Sequence, residues 1–218
     1  QVPTDDKVSM AIAVEAAVKA ADPRITGVES AEYVDSVGDM AVVTSTGIRT
    51  SGRETACYVA AYVLAEEDGD TQTGFGFSVG REPSDNDVAK AAADAADRAT
   101  RLLGATKPAS GRVTVIFDPY VTAQFLAILG STLSGEAVLK GRSLFADRIG
   151  ETVGASQLTL VDDPTDPRAF TAGESDGEGL ATRRNVLIEG GTLRQFVHNT
   201  YTGRRSGTAS TGSAIRGG

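Results

Sequence analysis

The sequence predicts an α+β fold in which an antiparallel β-meander flanked by helices precedes a second, mainly β domain. Three observations support this prediction. Apolar residues recur at helical spacing over residues 5–21, and apolar and polar residues alternate along 24–81. Beyond residue 135 the chain is rich in glycine and carries short β-prone runs. We therefore expect two domains, at residues 1–108 and 109–218.

The first domain begins with an alanine-rich helix that ends at Asp22-Pro23, because proline disfavours the α conformation in the residue before it. Five β-rich runs follow, at residues 28–37, 40–45, 48–52, 55–66 and 71–79. Turn signals separate them at Gly38-Asp39, Thr46-Gly47 and Asp68-Gly69. Ser84, three residues before Asp87, has capping-box spacing and predicts a second helix that continues to Gly104.

The second domain follows a linker at residues 107–111 and opens on an apolar run at 113–117, which is typical of a buried strand. Apolar residues on one face predict a helix over 120–133. Short strands are expected at 157–161, 185–189 and 193–197.

The bulk composition narrows the classes of function. The chain has 218 residues, a net charge of −8 and an isoelectric point near 4.7, which argues against direct nucleic-acid binding. No apolar run is long enough to predict a membrane span. The one cysteine, Cys57, is expected to be a small core residue and is compatible with a reducing cytoplasm. A start at Gln1 and an end at Gly218, directly after a Gly/Ser/Thr-rich stretch, indicate an incomplete polypeptide.

No metal motif is present in the sequence. The single histidine, His198, lies far from Cys57, and neither H-E-x-x-H nor C-x-x-C occurs. Acidic clusters at 162–166 and 176–179 leave a carboxylate-only Mg²⁺ or Ca²⁺ site open, although Asp-Pro and Asp-Gly pairs favour turns. The glycines at 74–80 have G-x-G-x-x-x-G spacing, which indicates relief of crowding or a bulge at a sheet edge rather than a dinucleotide loop.

Three sets of residues leave hydrolytic activity open. His198 could activate a nearby serine, but no G-x-S-x-G elbow is present, which favours a histidine that bonds a loop. The serines concerned are Ser206, Ser210 and Ser213. Alternatively, Ser134 or Ser143 with Glu136 or Lys140 as base would make a stand-alone serine-type hydrolase, and the acidic clusters would make a carboxylate-dependent one.

Beyond residue 111, short motifs follow one another in a specific order. They are Phe117-Asp118-Pro119, Leu133-Ser134-Gly135-Glu136, Lys140-Gly141-Arg142-Ser143-Leu144-Phe145, Gly150-Glu151, 158–164, Asp176-Gly177-Glu178-Gly179, Thr182-Arg183-Arg184, His198-Asn199-Thr200-Tyr201-Thr202 and 210–214. This succession resembles the TldD/PmbA family, in which PmbA is also called TldE, over roughly residues 24–216. Family members are linked to peptide-precursor processing, are described as modulators of DNA gyrase, and are longer at both ends.

The resemblance implies a division of labour between two subunits. TldD-type subunits carry H-E-x-x-x-H just before a segment like Leu133-Ser134-Gly135-Glu136, and here the matching positions hold Leu126, Ala127 and Ser131. The chain therefore resembles the PmbA/TldE type, with no metal and no catalytic residue of its own. Its expected partners are a zinc-bearing TldD-type subunit and an extended peptide, in a cytoplasmic hetero- or homo-oligomer.

Within the family-like segments, six residues are candidates for contact with the peptide: Ser134, Glu136, Arg142, His198, Asn199 and Tyr201. The resemblance also implies that the complex processes or degrades unfolded or precursor peptides. A non-enzymatic regulator that acts by contact, like a gyrase modulator, is a further alternative. An acidic chain suits contact with a basic protein better than contact with DNA.

Overall fold

The computed structural model describes residues 2–216 and confirms the α+β class, with two separate three-stranded sheets. In the first half, helix α1 (Thr4–Ala21) precedes strands β1 (Ile25–Val43), β2 (Arg49–Glu67) and β3 (Asp70–Gly80), a 3₁₀ turn (Pro83–Asp85) and helix α2 (Val88–Thr100). The second half contains α3 (Pro119–Thr132), α4 (Gly135–Leu139), β4 (Leu160–Asp162), β5 (Asn185–Glu189), β6 (Thr192–Leu193) and α5 (Thr200–Arg205). The sheet orders are β1-β2-β3 and β4-β5-β6.

The chain forms two compact units. Unit 1 contains the residues up to Met40 together with Gly52–Gly111, and unit 2 contains Ala41–Ser51 together with the chain from Arg112 onward. The tip of the β1–β2 hairpin therefore belongs to unit 2, which the sequence does not indicate. There, the chain at Gly179 packs against the tip, since a Cβ on Gly179 would lie 2.8 Å from Ile48 Cγ2. The predicted domain division at residue 108 stays a prediction.

Unit 1 buries one face of its sheet beneath two helices. Val59 and Val63 of β2 point into the core that Val14 and Val18 of α1 complete. The fully buried side chains that helix α2 contributes to this core are all alanines, namely Ala91, Ala92, Ala95 and Ala99. Because alanines project so little, the α2 backbone comes close to the sheet. Burial of these apolar faces holds the helices in place.

Two glycines of β3 make that close approach possible. A Cβ on Gly74 would lie 2.2 Å from the carbonyl oxygen of Ala95, and a Cβ on Gly76 would lie 1.9 Å from that of Ala91. No real Cβ can occupy such positions, so the helix rests directly on the strand at these two residues. The glycine spacing of this segment thus serves helix–sheet packing, as the sequence indicated.

The turn and helix-cap predictions for unit 1 are confirmed only in part. Asp68 and Gly69 form the tight β2–β3 turn with φ values of 51° and 84°, as predicted. The predicted break at Gly38-Asp39 is wrong, because β1 runs unbroken through both residues. The capping prediction is also wrong: Asp87 rather than Ser84 caps α2, and its side chain accepts a hydrogen bond from Lys90 N. Ser84 lies instead in the 3₁₀ turn before the helix.

The predicted buried strand at 113–117 is wrong. Residues 111–117 have no strand or helix assignment, and Ile116 is 93% exposed. The next element, α3, begins at Pro119 and is capped by Asp118, whose side chain accepts from Tyr120 N, and the helix buries none of its residues. β-Branched residues favour extended backbone, but a strand also needs a partner, and residues 2–216 supply none to this segment.

Unit 2 has its own core, around α4, β5 and β6. The buried members are Leu133, Phe145, Leu187, Ile188, Leu193 and Phe196. Strand β5 has the predicted limits, whereas β6 ends at Leu193 instead of continuing to Val197. The reason is a change of partner. Val197 N donates to the Leu133 carbonyl, and the Val197 carbonyl accepts from Gly135 N, so this segment joins the α3–α4 junction.

Candidate functional site

An open pocket of about 400 Å³ lies in unit 2, around the segment that joins β6 to α5. Its buried lining residues are Phe196, His198 and Thr211. Its exposed lining residues are Asp147, Ile149, Ser206 and Thr208, and Val138 and Gln195 complete the wall. A pocket of this size with an apolar floor and a few polar groups is typical of small-ligand sites.

His198 is fixed in the pocket mainly through its backbone. Its amide donates to Thr211 Oγ1 at 2.8 Å, and its carbonyl accepts from Thr211 N at 2.9 Å and from Ser210 Oγ at 3.0 Å. The ring nitrogen Nδ1 lies 3.3 Å from Thr202 Oγ1. Burial lowers the pKa of the imidazole below 6.5, so the ring is neutral at pH 7. A neutral ring can donate one hydrogen bond and accept another.

The imidazole packs directly on the first residue of α4. A Cβ on Gly135 would lie 2.2 Å from Nδ1 and 2.5 Å from Cε1 of His198. Only glycine fits there, which explains the glycine in Leu133-Ser134-Gly135-Glu136 by contact with a residue more than sixty positions later. The parallel bridge between Ser134 and Val197 fixes the same junction.

Asp147 stands in the pocket lining with an unusual backbone conformation. Its φ is 61°, which is one of two positive values at non-glycine residues between 2 and 216. Arg148 N donates to the Phe145 carbonyl at 3.1 Å, so Asp147 is the third residue of a four-residue turn, where glycine is the usual choice. An aspartate in this place accepts backbone strain that glycine would avoid.

The candidates near α4 have structural hydrogen bonds. Ser134 caps the helix by accepting from Ala137 N at 3.2 Å, and its hydroxyl donates to the Ser131 carbonyl. Glu136 forms an exposed ion pair with Lys140 one turn later, and this hydrogen bond lowers the pKa of the carboxyl group. Arg142 is exposed, and its amide donates to the Ala137 carbonyl at 2.8 Å.

Of the two candidate residues near α5, one caps the helix and the other is exposed to solvent. Asn199 caps the helix, with Oδ1 accepting from Thr202 N at 2.8 Å while Thr202 Oγ1 accepts from Asn199 N. Tyr201 is 65% exposed on the same helix. Glu178 Oε2 accepts from both Thr200 N and Thr200 Oγ1, which connects the 176–179 turn to the helix start. The structure thus places His198 in the pocket and gives Asn199 a supporting role beside it.

Among residues 2–216, none of the serine hydroxyls considered from the sequence bonds the ring of His198, Glu136 or Lys140, and the one that reaches a carboxylate is Ser213. Ser210 Oγ donates to the His198 carbonyl, and Ser213 Oγ donates to Asp162 Oδ2 at 2.6 Å. Ser143 Oγ accepts from Phe145 N. Ser206 lines the pocket, but the imidazole's hydrogen-bond partner within residues 2–216 is Thr202.

The acidic clusters are built into turns and loop contacts. Asp176 is buried, with Oδ1 accepting from the amides of Glu178 and Leu180 and Oδ2 accepting from Ala214 N. Asp163 accepts from Thr165 N and Oγ1. Across the described part of the chain, no group of three or more His, Cys, Asp and Glu side chains is positioned to hold a metal ion.

Three residues that the resemblance led us to compare with a metal motif, Leu126, Ala127 and Ser131, lie on α3 and do not fit a metal. Leu126 and Ala127 have no donor atom, and the hydroxyl of Ser131 donates to the Ile128 carbonyl at 2.7 Å. Zinc sites in proteins bind the metal through imidazole, thiolate or carboxylate groups. No chemical step can therefore be derived through a metal held by these three residues.

Comparison with known domain families covers both units. Residues 1–103 match the PmbA/TldA metallopeptidase central domain, and residues 110–218 match the PmbA/TldA metallopeptidase C-terminal domain. The chain belongs to the PmbA/TldD family. This membership confirms the resemblance inferred from the ordered motifs.

Individual relatives agree with this membership. The chain is 32% identical to the metalloprotease MJ0996 of Methanocaldococcus jannaschii over 191 residues, which is 84% of this chain and 42% of that protein. It is 27% identical to the metalloprotease PmbA of Escherichia coli O157:H7 over 215 residues, 98% of this chain and 48% of that protein. The chain therefore spans about half the length of these relatives.

Solved structures show the same fold. A candidate modulator of DNA gyrase from Bacteroides thetaiotaomicron superposes with a TM-score of 0.88 at 26% identity, over 98% of this chain and 49% of that one. TldE from Thermococcus kodakarensis gives 0.81 at 24% identity, over 100% and 49%, which is evidence of fold alone. Among residues 2–216, no helix combines the length and apolar content that crossing a bilayer requires.

Proposed function

We propose that this chain acts as the PmbA/TldE-type accessory subunit of a cytoplasmic TldD/TldE-type metallopeptidase complex. In this complex a TldD-type partner holds the zinc and cleaves the substrate. The substrates are unfolded or precursor peptides. The observation that carries the proposal is the residue set Leu126, Ala127 and Ser131 on α3, at positions where the family resemblance implies two histidines and a glutamate in a metal-bearing subunit. All three residues lie within the part of the chain that matches the family's C-terminal domain.

The exposure of α3 to solvent supports a role of this helix in assembly rather than in metal binding. The helix buries none of its residues among those described, and Phe125 and Ile128 are exposed. A solvent-exposed apolar helix is costly in isolation and is typical of a surface that is covered in an assembly. The same helix that would hold the metal in the partner type is thus available here for packing.

The test is co-expression of the full-length protein with the TldD-type protein of the same organism. We expect a stable complex by size-exclusion chromatography and zinc in proportion to the TldD-type subunit. An unfolded protein such as reduced casein should be cleaved by the complex and not by either subunit by itself. The matched control is a TldD-type subunit with glutamine in place of the motif glutamate, which should assemble without cleaving. Stoichiometric zinc or peptide cleavage in this protein by itself would contradict the proposal.

The same preparation separates the alternatives. Cleavage by the protein alone that disappears in Ser134→Ala or Ser143→Ala would establish a serine-type hydrolase. Cleavage that survives both substitutions but requires the carboxylates of 162–166 would establish the carboxylate-dependent one. Salt-sensitive binding to a topoisomerase without proteolysis would establish a regulator that acts by contact.

A further inference from the structure

We propose that the His198 pocket binds the side chain of a lysine or arginine in an extended peptide, with the apolar stem on Phe196 and the cation at Asp147. The peptide as occupant rests on the proposed function, whereas the preference for an aliphatic chain that ends in a cation follows from the pocket itself. A free alkylamine has the same chemistry, so the experiment below distinguishes it from a peptide.

The floor and one wall of the pocket suit an aliphatic stem. Phe196 is buried at the base, Val138 of α4 forms part of the wall, and Ile149 projects at the mouth with 60% exposure. Lysine and arginine bury their methylene groups against such surfaces and leave the charge at the edge. A volume of about 400 Å³ accommodates one long side chain together with part of the adjoining backbone.

Asp147 gives the pocket its charge. It is the one charged residue in the lining, and within residues 2–216 its carboxylate forms neither an ion pair nor a hydrogen bond. Its backbone lies in the left-handed region, where aspartate is less favourable than glycine. Because it has no partner among the described residues, the carboxylate is available to a cationic ligand in the pocket.

Two further groups can bind the backbone of the peptide. Among the described residues the Nε2 atom of His198 has no hydrogen-bond partner, because Thr202 takes only Nδ1. Gln195 lines the same pocket and uses its amide nitrogen to donate to the Val186 carbonyl at 3.1 Å. The side-chain oxygen of Gln195 is therefore the atom left to accept a peptide N–H.

His198 provides a direct readout, because its imidazole signals in the full-length protein are identified by their loss in His198→Gln. The probes are acetyl-Ala-Lys-Ala-amide, the same tripeptide with norleucine in place of lysine, the same tripeptide with glutamate, and butylamine. Each is titrated into the full-length protein while the imidazole signals of His198 are followed by NMR. We expect saturable shifts for the lysine peptide and an affinity about two- to five-fold above that of the norleucine peptide, the range for an exposed ion pair. Weaker binding of butylamine than of the lysine peptide would place the backbone in the site.

The decisive variant is Asp147→Asn, because asparagine tolerates the left-handed backbone and removes only the charge. It should abolish the advantage of lysine over norleucine while the norleucine affinity stays unchanged. The matched control is Asp68→Asn, at the other positive-φ aspartate, in the β2–β3 turn of unit 1, and it should leave both affinities unchanged. The advantage of lysine should also decline as salt is raised.

Three results would overturn the assignment: equal affinity for lysine and norleucine peptides, a preference that persists in Asp147→Asn, or no His198 shift with any peptide. Equal affinity of butylamine and the lysine peptide would overturn the peptide as occupant. Because binding is measured without the TldD-type partner, its failure leaves the complex of the proposed function intact. Conversely, lysine-selective binding without complex formation would contradict the proposed function alone.

Discussion

The imidazole of His198 lies against the Cα of Gly135, so closely that a Cβ at residue 135 would be 2.2 Å from Nδ1. This contact joins the first turn of α4 to the segment before α5. Both sides are held by further bonds, since Gly135 N donates to the Val197 carbonyl and His198 N donates to Thr211. The shape of the pocket therefore depends on the absence of a side chain at residue 135.

Gly135→Ala should destabilise the protein. Neither side of the contact can move freely, so overpacking should lower the free energy of unfolding by about 1–3 kcal/mol, measured by urea denaturation. The matched control is Gly130→Ala in α3, where a Cβ meets nothing within 4 Å. Because alanine is the better helix former, that control should be neutral or stabilising by up to about 1 kcal/mol. Equal effects at the two positions would contradict the packing described here.

The His198 imidazole should titrate below pH 6.5, because burial disfavours its charged form. The free energy of unfolding then depends on pH with a definite sign. Well above pH 6.5 the ring is neutral in both states, and as the pH falls through 6.5 the unfolded chain takes up the proton first. Stability is therefore lost on acidification until the pH passes below the folded-state pKa.

NMR titration of the imidazole measures that pKa directly, and urea denaturation between pH 5 and 8 measures the slope. His198→Gln should remove the part of the slope near pH 6, since carboxylates contribute mainly below about pH 5. A midpoint at or above 6.5 would show that the ring is not buried as described.

Gly76→Ala should severely destabilise unit 1. The new Cβ would meet the Ala91 carbonyl oxygen at 1.9 Å, which is backbone and cannot rotate away. Helix α2 would have to move off β3, at a cost of about 3 kcal/mol or more. The control is Gly38→Ala in β1, where a Cβ meets nothing within 4 Å and should be tolerated. Circular dichroism melting curves distinguish the two, and a mild effect at Gly76 would mean that α2 lies further from the sheet.

Asp87→Ala should cost about 1 kcal/mol of stability, because it removes the side chain that accepts from Lys90 N at the start of α2. Ser84→Ala should change the free energy of unfolding much less, since Ser84 is exposed in the preceding 3₁₀ turn. Thermal denaturation of the two variants side by side measures the difference. A larger loss at Ser84 would restore the cap expected from the sequence.

How far the sequence predicted the fold depends on the range of the interaction involved. The α1 stop at Asp22-Pro23 and the Asp68-Gly69 turn depend on neighbouring residues, and both were predictable. The unbroken course of β1 through Gly38 was not, because β2 pairing and not local propensity decides it. Assignment of the hairpin tip to unit 2 likewise depends on packing far along the chain.

The candidate site shows the same limit. His198 was noticeable as a unique residue, and the motif order around it led to the family. Asp147 and Phe196 carried no local signal, because the left-handed φ of one and the burial of the other arise only in the folded chain. The glycine at 135 could be explained only after the ring of His198 was placed beside it.

Ile116 gives the sharpest test of the failed strand prediction at 113–117. Its side chain is 93% exposed, so Ile116→Thr, which keeps the β-branched shape, should change the free energy of unfolding by no more than about 0.5 kcal/mol. Binding of a hydrophobic dye should fall, because an exposed apolar surface is reduced. The reference for a truly buried residue is Leu133→Ala, at 0% exposure, which should cost about 2–5 kcal/mol. A loss of about 2 kcal/mol or more for Ile116→Thr would mean that Ile116 is buried in solution, which would contradict the exposure described for this segment.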